Sequence, residues 1–345
     1  MIKSLIKYSE RGLVPDLLIK FGIRKLCKSR LNWAKELGEE GLEEFHQTFI
    51  TKLEISPIAL VPKSANEQHY EVPPSFFKIV LGKHLKYSSG LWTSSTSNLD
   101  ESEEKMLELT FKRADLKDGQ DILELGCGWG SLTCYMAEKL PNSKITAVSN
   151  SKDQKAFILA KCKKHGLLNV NVITADMNDF NINYTFDRVV SVEMFEHMRN
   201  YKELMKKIYD FLKPSGKLFI HIFTHKEMVY PFEDNGEGDW MAREFFSGGI
   251  MPSHRLLLYF QDHLKIETTW KMSGMNYSRT SMSWLNNMDC NKGELINILA
   301  DNYGVENAKV WFQRWRIFFM SCAELFGLYN GSEWGVSHYL FKKIK

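Results

Sequence analysis

Three titratable side chains stand within five positions in the segment SVEMFEHM, residues 191–198: Glu193, Glu196 and His197. A carboxylate beside an imidazole can attract a cation and then accept its proton, which is general-base chemistry. Glu193 and His197 are four apart, so on a helical turn they share one face, with Glu196 next to His197. The plainer reading is a helix start whose acids complement the positive end of the dipole. A histidine beside two acids at the end of a strand favours an active site.

A second signal lies some seventy residues earlier in DILELGCGWGS, residues 121–131, where an apolar run carrying Glu124 breaks into Gly126, Gly128 and Gly130. Such a run reads as a buried parallel strand feeding a tight turn, where missing Cβ atoms let the backbone approach a ligand. Dinucleotide sites space their glycines G-x-G-x-x-G, whereas here the third glycine comes one residue early and Ser131 takes the usual place. A small-molecule cofactor is expected there.

These residues need a scaffold, and the chain supplies a strand-helix alternation. Strand DILEL leads to a helix around 133–139, strand KITAVS, a helix over 152–165, strand NVNVITAD, strand FDRVVSVE, a helix around 201–212 and strand KLFIHIF. The pattern predicts a doubly wound α/β sheet, whose ligands lie beyond the carboxyl ends of its strands. The second strand ends at Ser149, where Asn150 and the later Gln154 can hydrogen-bond ribose hydroxyls. The third ends at Asp176 and Met177, a carboxylate for an exocyclic amine and a thioether to lie against an aromatic base. Each alone reads as a cap or core filler; together at one sheet edge they favour an adenosine site.

Composition narrows the function classes. The 345 residues are 25% charged and 44% hydrophobic, with a net charge of +3, which argues against nucleic acid as a partner. No apolar run is long enough to cross a bilayer, and no signal peptide is evident. The six cysteines form no C-x-x-C pair, so no metal site is expected, and free thiols fit a reducing, cytoplasmic setting. Residues 1–108 read as a mainly helical region. Its basic amphipathic start, with Leu13, Leu17, Leu18, Phe21 and Ile23 among lysines and arginines, is expected to pack on its own domain, with weak contact to an anionic membrane surface as the second reading.

Read together, the segments QHYEVPPSFFKIVLG (68–82), LKYSSGLW (85–92), ILELGCGWGS (122–131), VSNSKDQ (148–154), SVEMFEHM (191–198), FIHIF (219–223), FFSGGIMPS (245–253) and YSRTSMSWLNNM (277–288) closely resemble the family of cyclopropane fatty acid synthases, mycolic acid methyltransferases and plant coclaurine N-methyltransferases. HKEMVYPFED (225–234), LLLYFQD (256–262) and the GLVPDLLIK start (12–20) look most like the coclaurine N-methyltransferase branch. The resemblance implies a class I, Rossmann-like methyltransferase core over 109–345, a helical lid inserted at about 226–326, and S-adenosylmethionine as cofactor. It leaves a homodimer open.

Carried over by position, Tyr87 and Ser88 would meet the methionine part of the cofactor, with Gly126 and Gly128 beneath it. Asn150 and Gln154 match ribose contacts, and Asp176 and Met177 match adenine contacts. In the N-methyltransferase branch Glu193 and His197 align with the pair assigned to substrate deprotonation, beside Glu196, and the substrate is a small aromatic or cyclic amine. The physics agrees, because an alkylammonium with a pKa near 10.4 is neutral about once in a few thousand molecules at pH 7, a cost of roughly 4–5 kcal/mol. The sulfonium supplies its own leaving group, so the protein mainly aligns nucleophile, methyl and sulfur. In the competing lipid branch a bicarbonate is held by a glutamate, a histidine, a tyrosine and a cysteine; Glu196, His221 and Tyr277 match three of these, and Ser89 stands where the cysteine is expected. The branch-specific segments favour amines. A binding protein without catalysis is the third reading, opposed by the intact Glu193, Glu196 and His197. The aromatic residues of the C-terminal third read chiefly as core, and collectively as walls for a flat amine or an acyl chain.

Overall fold

The structure, a computed structural model, describes residues 2–60 and 72–344. The beginning of the QHYEVPP motif lies outside the described residues. A near-continuous apolar pattern makes Asp121–Leu125 (β1), Lys144–Ser149 (β2), Val170–Thr174 (β3), Phe186–Val192 (β4) and Leu212–His225 (β5) the parallel part of one sheet. Leu264–Ser273 (β8) and Trp334–Lys343 (β9) complete seven strands in the order β3-β2-β1-β4-β5-β9-β8, with β9 antiparallel to both neighbours. This is the expected class I α/β architecture. Helices Ser131–Lys139 (α5), Lys152–His165 (α6) and Tyr201–Phe211 (α7) connect the parallel strands.

Register puts the chemistry at one edge. Leu125 pairs with Val148 and Ser191, and Val192 with His221, so β1, β4 and β5 release Gly126 and Glu193 at similar height. Across the antiparallel seam, His221 stands opposite His338.

The remaining helices flank the sheet in sequence. Ile2–Glu10 (α1), Asp16–Glu54 (α2), Pro74–Val80 (α3) and Leu99–Arg113 (α4) precede the sheet. Proline at the first position of α3 costs no hydrogen bond, because that N–H has no partner inside a helix. Between β5 and β8 lie the short pair Tyr230–Pro231 (β6) and Ile250–Met251 (β7) and a helical turn, Trp240–Glu244 (α8). Met275–Cys290 (α9), Lys292–Tyr303 (α10) and Ala308–Gly327 (α11) follow β8. The span 226–326 therefore contains an edge strand of the sheet as well as helices, and α4 straddles residue 108.

The N-terminal helices are clasped onto α11. Arg314 meets Glu10 at 2.9 Å, and Arg316 bridges Asp16 at 2.7 Å and Asp289 at 2.6 Å. Ile19 and Cys27 turn inward with Ile23, whereas Leu17 and Phe21 are 77% and 64% exposed. The apolar face expected to pack thus points outward, apart from Ile23. Positions 19, 23 and 27 share the same four-residue spacing, and it is that face that meets the core. Among the described residues no helix is long and apolar enough to cross a membrane, and no cluster of histidine, cysteine and acid side chains could hold a metal.

Candidate active site

Three adjoining cavities open at the carboxyl edge. The first, about 780 Å³, is lined by Gly126, Gly128, Asn150, Gln154, Asp176 and Met177 among others, five of them just beyond the ends of β1, β2 and β3 and Gln154 in the first turn of α6. Local folding explains their placement. The Gly126 and Cys127 N–H groups both donate to Val148 O at 3.0 Å, tying the glycine turn to β2. Gly126 has φ +80°, and a Cβ there would stand 2.6 Å from Met194 Cβ. Gly128 has φ +51° and open space where its side chain would be. Ser151 caps α6 by accepting from Gln154 N at 3.3 Å, and Ser149 Oγ donates to Gln154 Oε1 at 2.6 Å. The Gln154 amide nitrogen is left buried without a hydrogen-bond partner. An orphaned buried donor beside a glycine floor and a carboxylate fits an adenosine-type ligand, so the residues present suit S-adenosylmethionine.

The second cavity, about 760 Å³, is walled by rings including Phe223, Phe246, Tyr277, Trp284, Phe318 and Phe326. Its polar end is formed by Glu193, Glu196 and His197. The third cavity joins Tyr87 and Ser88 to Gly126, Gly128, Glu124 and Lys86. The first two cavities share two lining residues, Glu193 and His197, and Glu193 lines all three.

Glu193 is held at this junction by an unusual backbone. It is the first residue beyond β4, at φ +48°, a left-handed conformation that few non-glycine residues adopt. Its N–H donates to His221 O at 2.8 Å. The segment that follows is a single tight turn, Phe195–His197, rather than the start of a helix; α7 begins only at Tyr201. Tyr277 donates its phenol proton to Glu193 Oε2 at 2.5 Å. Burial pushes the Glu193 carboxyl up to about 7, although the Tyr277 hydrogen bond, the Lys86 ammonium and the Ser89 N–H pull the other way. Burial also pulls His197 down to about 4, so its imidazole is neutral at physiological pH, with its ring 4.7 Å from that of Phe246. Glu196 is buried, and desolvation and then the Glu193 charge push it well above the carboxylate range, which keeps it a neutral acid.

Glu193, Glu196, His197 and Tyr277 converge on the aromatic cavity, whereas Ser89 and His221 are absent from its walls. Ser89 Oγ donates to Gly90 O at 3.1 Å, and its own carbonyl accepts from Lys86 Nζ at 2.9 Å. Lys86, which motif reading passed over, is buried beside the cofactor cavity and also donates to Ser88 Oγ. Burial lowers its pKa to about 8, against the charges of Glu193 and Glu103. Its signal in the sequence is a lysine set inside the LKYSSGLW motif. Glu124, at the end of β1, is buried and accepts from Thr133 Oγ1 at 2.5 Å.

Residues 61–330 match the family model for mycolic acid cyclopropane synthetase. The chain belongs to this family. Within it, the chain is 40% identical to an (S)-coclaurine N-methyltransferase of Thalictrum flavum subsp. glaucum, an alignment that covers 99% of this chain and 96% of that protein. The crystal structure of a coclaurine N-methyltransferase bound to N-methylheliamine and S-adenosylhomocysteine superposes with a TM-score of 0.91 at 36% identity, covering 99% of this family member and 98% of the other. A cyclopropane-fatty-acyl-phospholipid synthase of Escherichia coli (strain K12) is 29% identical over 69% of this chain and 58% of its own length. This member is an S-adenosylmethionine-dependent methyltransferase, and its relatives support methyl transfer to nitrogen.

Proposed function

We propose that the protein transfers a methyl group from S-adenosylmethionine to the nitrogen of a small aromatic or cyclic amine, with Glu193 and His197 receiving the amine's proton. One observation carries the reading: the residues shared by the cofactor cavity and the aromatic cavity are a carboxyl that titrates near neutrality and a neutral imidazole. Bound in the first cavity, S-adenosylmethionine supplies a methyl on a sulfonium whose leaving group is a neutral thioether. The protein's own residues do the rest. The rings of Tyr277, Trp284 and Phe326 line the cavity that would take a cationic amine and keep water from it. Glu193 supplies the counter-charge, and a base with a pKa near neutrality is well matched to proton transfer at pH 7. His197, neutral, is the second acceptor within the same junction. Glu196, protonated, can orient the substrate as a hydrogen-bond donor.

Lipid cyclopropanation is less well supported. Of the positions matching a bicarbonate site, Tyr277 is engaged by Glu193, His221 faces Glu193 and His338, and Ser89 turns to a backbone carbonyl. Incubating the protein with methyl-labelled cofactor and a panel of cyclic arylalkylamines and unsaturated phospholipids, followed by NMR of the product, separates the two. A methyl singlet on nitrogen is the expected result; upfield cyclopropane protons contradict it. Asp176 and Met177 are assigned to adenine and Asn150 and Gln154 to ribose. Asp176→Ala is therefore expected to weaken S-adenosylhomocysteine binding about ten- to a hundred-fold, the loss of one hydrogen bond to a charged group. Unchanged calorimetric affinity would remove Asp176 from the cofactor site.

A further inference from the structure

Behind Glu193 runs a chain of polar side chains that neither cavity uses. Arg113, the last residue of α4, directs Nη1 at His338 Nδ1 on β9, 2.8 Å away. His338 Nε2 meets His221 Nδ1 on β5, also at 2.8 Å. His221 Nε2 then faces Glu193 Oε1 at 3.3 Å. Both histidines are fully buried, and desolvation together with nearby cations holds each well below the usual imidazole range, so both stay neutral.

Neutral imidazole carries one proton, on either nitrogen, and its partners decide which. A guanidinium only donates, so His338 Nδ1 must be the acceptor and its proton sits on Nε2. That N–H donates to His221 Nδ1, which leaves the His221 proton on Nε2, pointing at Glu193. Arg113 is suited to anchor the chain. Its guanidinium also contacts Met272 Sδ at 3.1 Å, lies 4.7 Å over the Trp270 ring and, among the described residues, is paired with no carboxylate.

We propose that Arg113 and His338 are positioning residues that lock His221 in the tautomer presenting an N–H to Glu193, and that this donor keeps the Glu193 carboxylate ionised and aimed at the incoming amine. At 3.3 Å the two atoms are near enough to hydrogen-bond but are not aligned for it, and neither has another hydrogen-bond partner, as in sites whose contacts tighten when substrate charge arrives. The other groups facing Glu193 do not set this tautomer. Tyr277 from α9 donates to the second carboxylate oxygen. Lys86 contributes charge from the loop before α4, Cys322 faces Glu193 from α11, and Glu196 and His197 lie on its own turn. The kinetic part of this proposal rests on amine methylation by Glu193; the tautomer part does not.

Two readouts test it on the full-length protein. With ¹⁵N-histidine labelling and resonances assigned by single substitutions, the cofactor-free wild type is expected to show pyrrole-like Nε2 and pyridine-like Nδ1 at both His221 and His338. Arg113→Met, which keeps the stem over Trp270, should return an Nδ1–H population. His338→Gln, whose amide can accept from Arg113 and donate to His221, should preserve the His221 tautomer, whereas His338→Phe should not. In the pH profile of kcat/KM, Arg113→Met and His338→Phe are expected to move the acid limb up by about one unit, a roughly ten-fold loss below it, with His338→Gln close to wild type. Calorimetric S-adenosylhomocysteine affinity, expected to stay within a few-fold, reports that the variants are folded. Wild-type tautomers in Arg113→Met, or a changed tautomer with an unmoved acid limb, overturn the proposal. The expected tautomers in a wild type that methylates no amine contradict the functional reading and leave the chain standing.

Discussion

Glu193→Gln is expected to lower kcat by about 10²–10⁴-fold while leaving S-adenosylhomocysteine affinity within a few-fold, because a positioned general base contributes about that much. The substitution keeps side-chain volume, and its amide oxygen can still accept from Tyr277, so binding geometry survives. An amide cannot take a proton. His197→Ala is expected to slow turnover as well, by removing the neutral imidazole at the same junction. The pH dependence follows from the sign of the shift. Burial raises the Glu193 carboxyl to about 7, so the base is protonated and useless below that value and becomes available as pH rises through it. The wild-type kcat/KM should therefore fall on the acid side with a limb near neutrality, and that limb should disappear in Glu193→Gln, leaving the ionisation of the amine itself at higher pH. A limb that persists in the variant assigns it to another group.

The glycine turn offers the second large effect, and two substitutions separate its causes. At Gly126 an added Cβ meets Met194 Cβ at 2.6 Å, a position fixed by the backbone next to Glu193, and the φ of +80° is itself costly for alanine. Left-handed strain and overpacking together amount to about 2–5 kcal/mol, so Gly126→Ala should lose stability to urea, cofactor affinity and turnover together. At Gly128 the Cβ would point into open space on the cavity floor. Gly128→Ala should then lose cofactor affinity with a smaller loss of stability, the strain at φ +51° alone. Equal stability losses in both would show that the turn is a packing device rather than a cradle. Urea midpoints paired with calorimetric titration of S-adenosylhomocysteine give the comparison.

What the sequence revealed and what it hid have separate physical causes. DILEL, KITAVS and FDRVVSVE are legible because strands buried on both faces are almost uninterruptedly apolar, and glycines mark where the first one ends. Glu193, Glu196 and His197 are legible because they are adjacent in the chain. Arg113, His221 and His338 are not a recognisable set in the sequence: His221 and His338 are separated by 117 positions and meet only through the register of β5 against β9. The edge strand β8, LKIETTWKMS, has exposed polar positions on one side and no run of buried residues, so it carries no signal of a sheet and falls inside the span expected to be lid. At the N-terminus, periodicity identifies two candidate faces of α2 and cannot choose between them. The choice is made by α11, which receives Ile19, Ile23 and Cys27 and leaves Leu17 and Phe21 in solvent.

The central claim is that Glu193 exists to deliver a neutral amine, and this can be tested by varying the basicity of the acceptor. An alkylamine with a pKa near 10 must lose a proton at pH 7, whereas a fluorinated analogue of the same shape with a pKa below the assay pH arrives neutral. Measuring the ratio of wild-type to Glu193→Gln rates for both, under single turnover with saturating cofactor, isolates the proton transfer. The ratio is expected to be large for the basic amine and to shrink by at least ten-fold for the neutral one. An equal ratio for the two amines would contradict the assignment of Glu193 as the base.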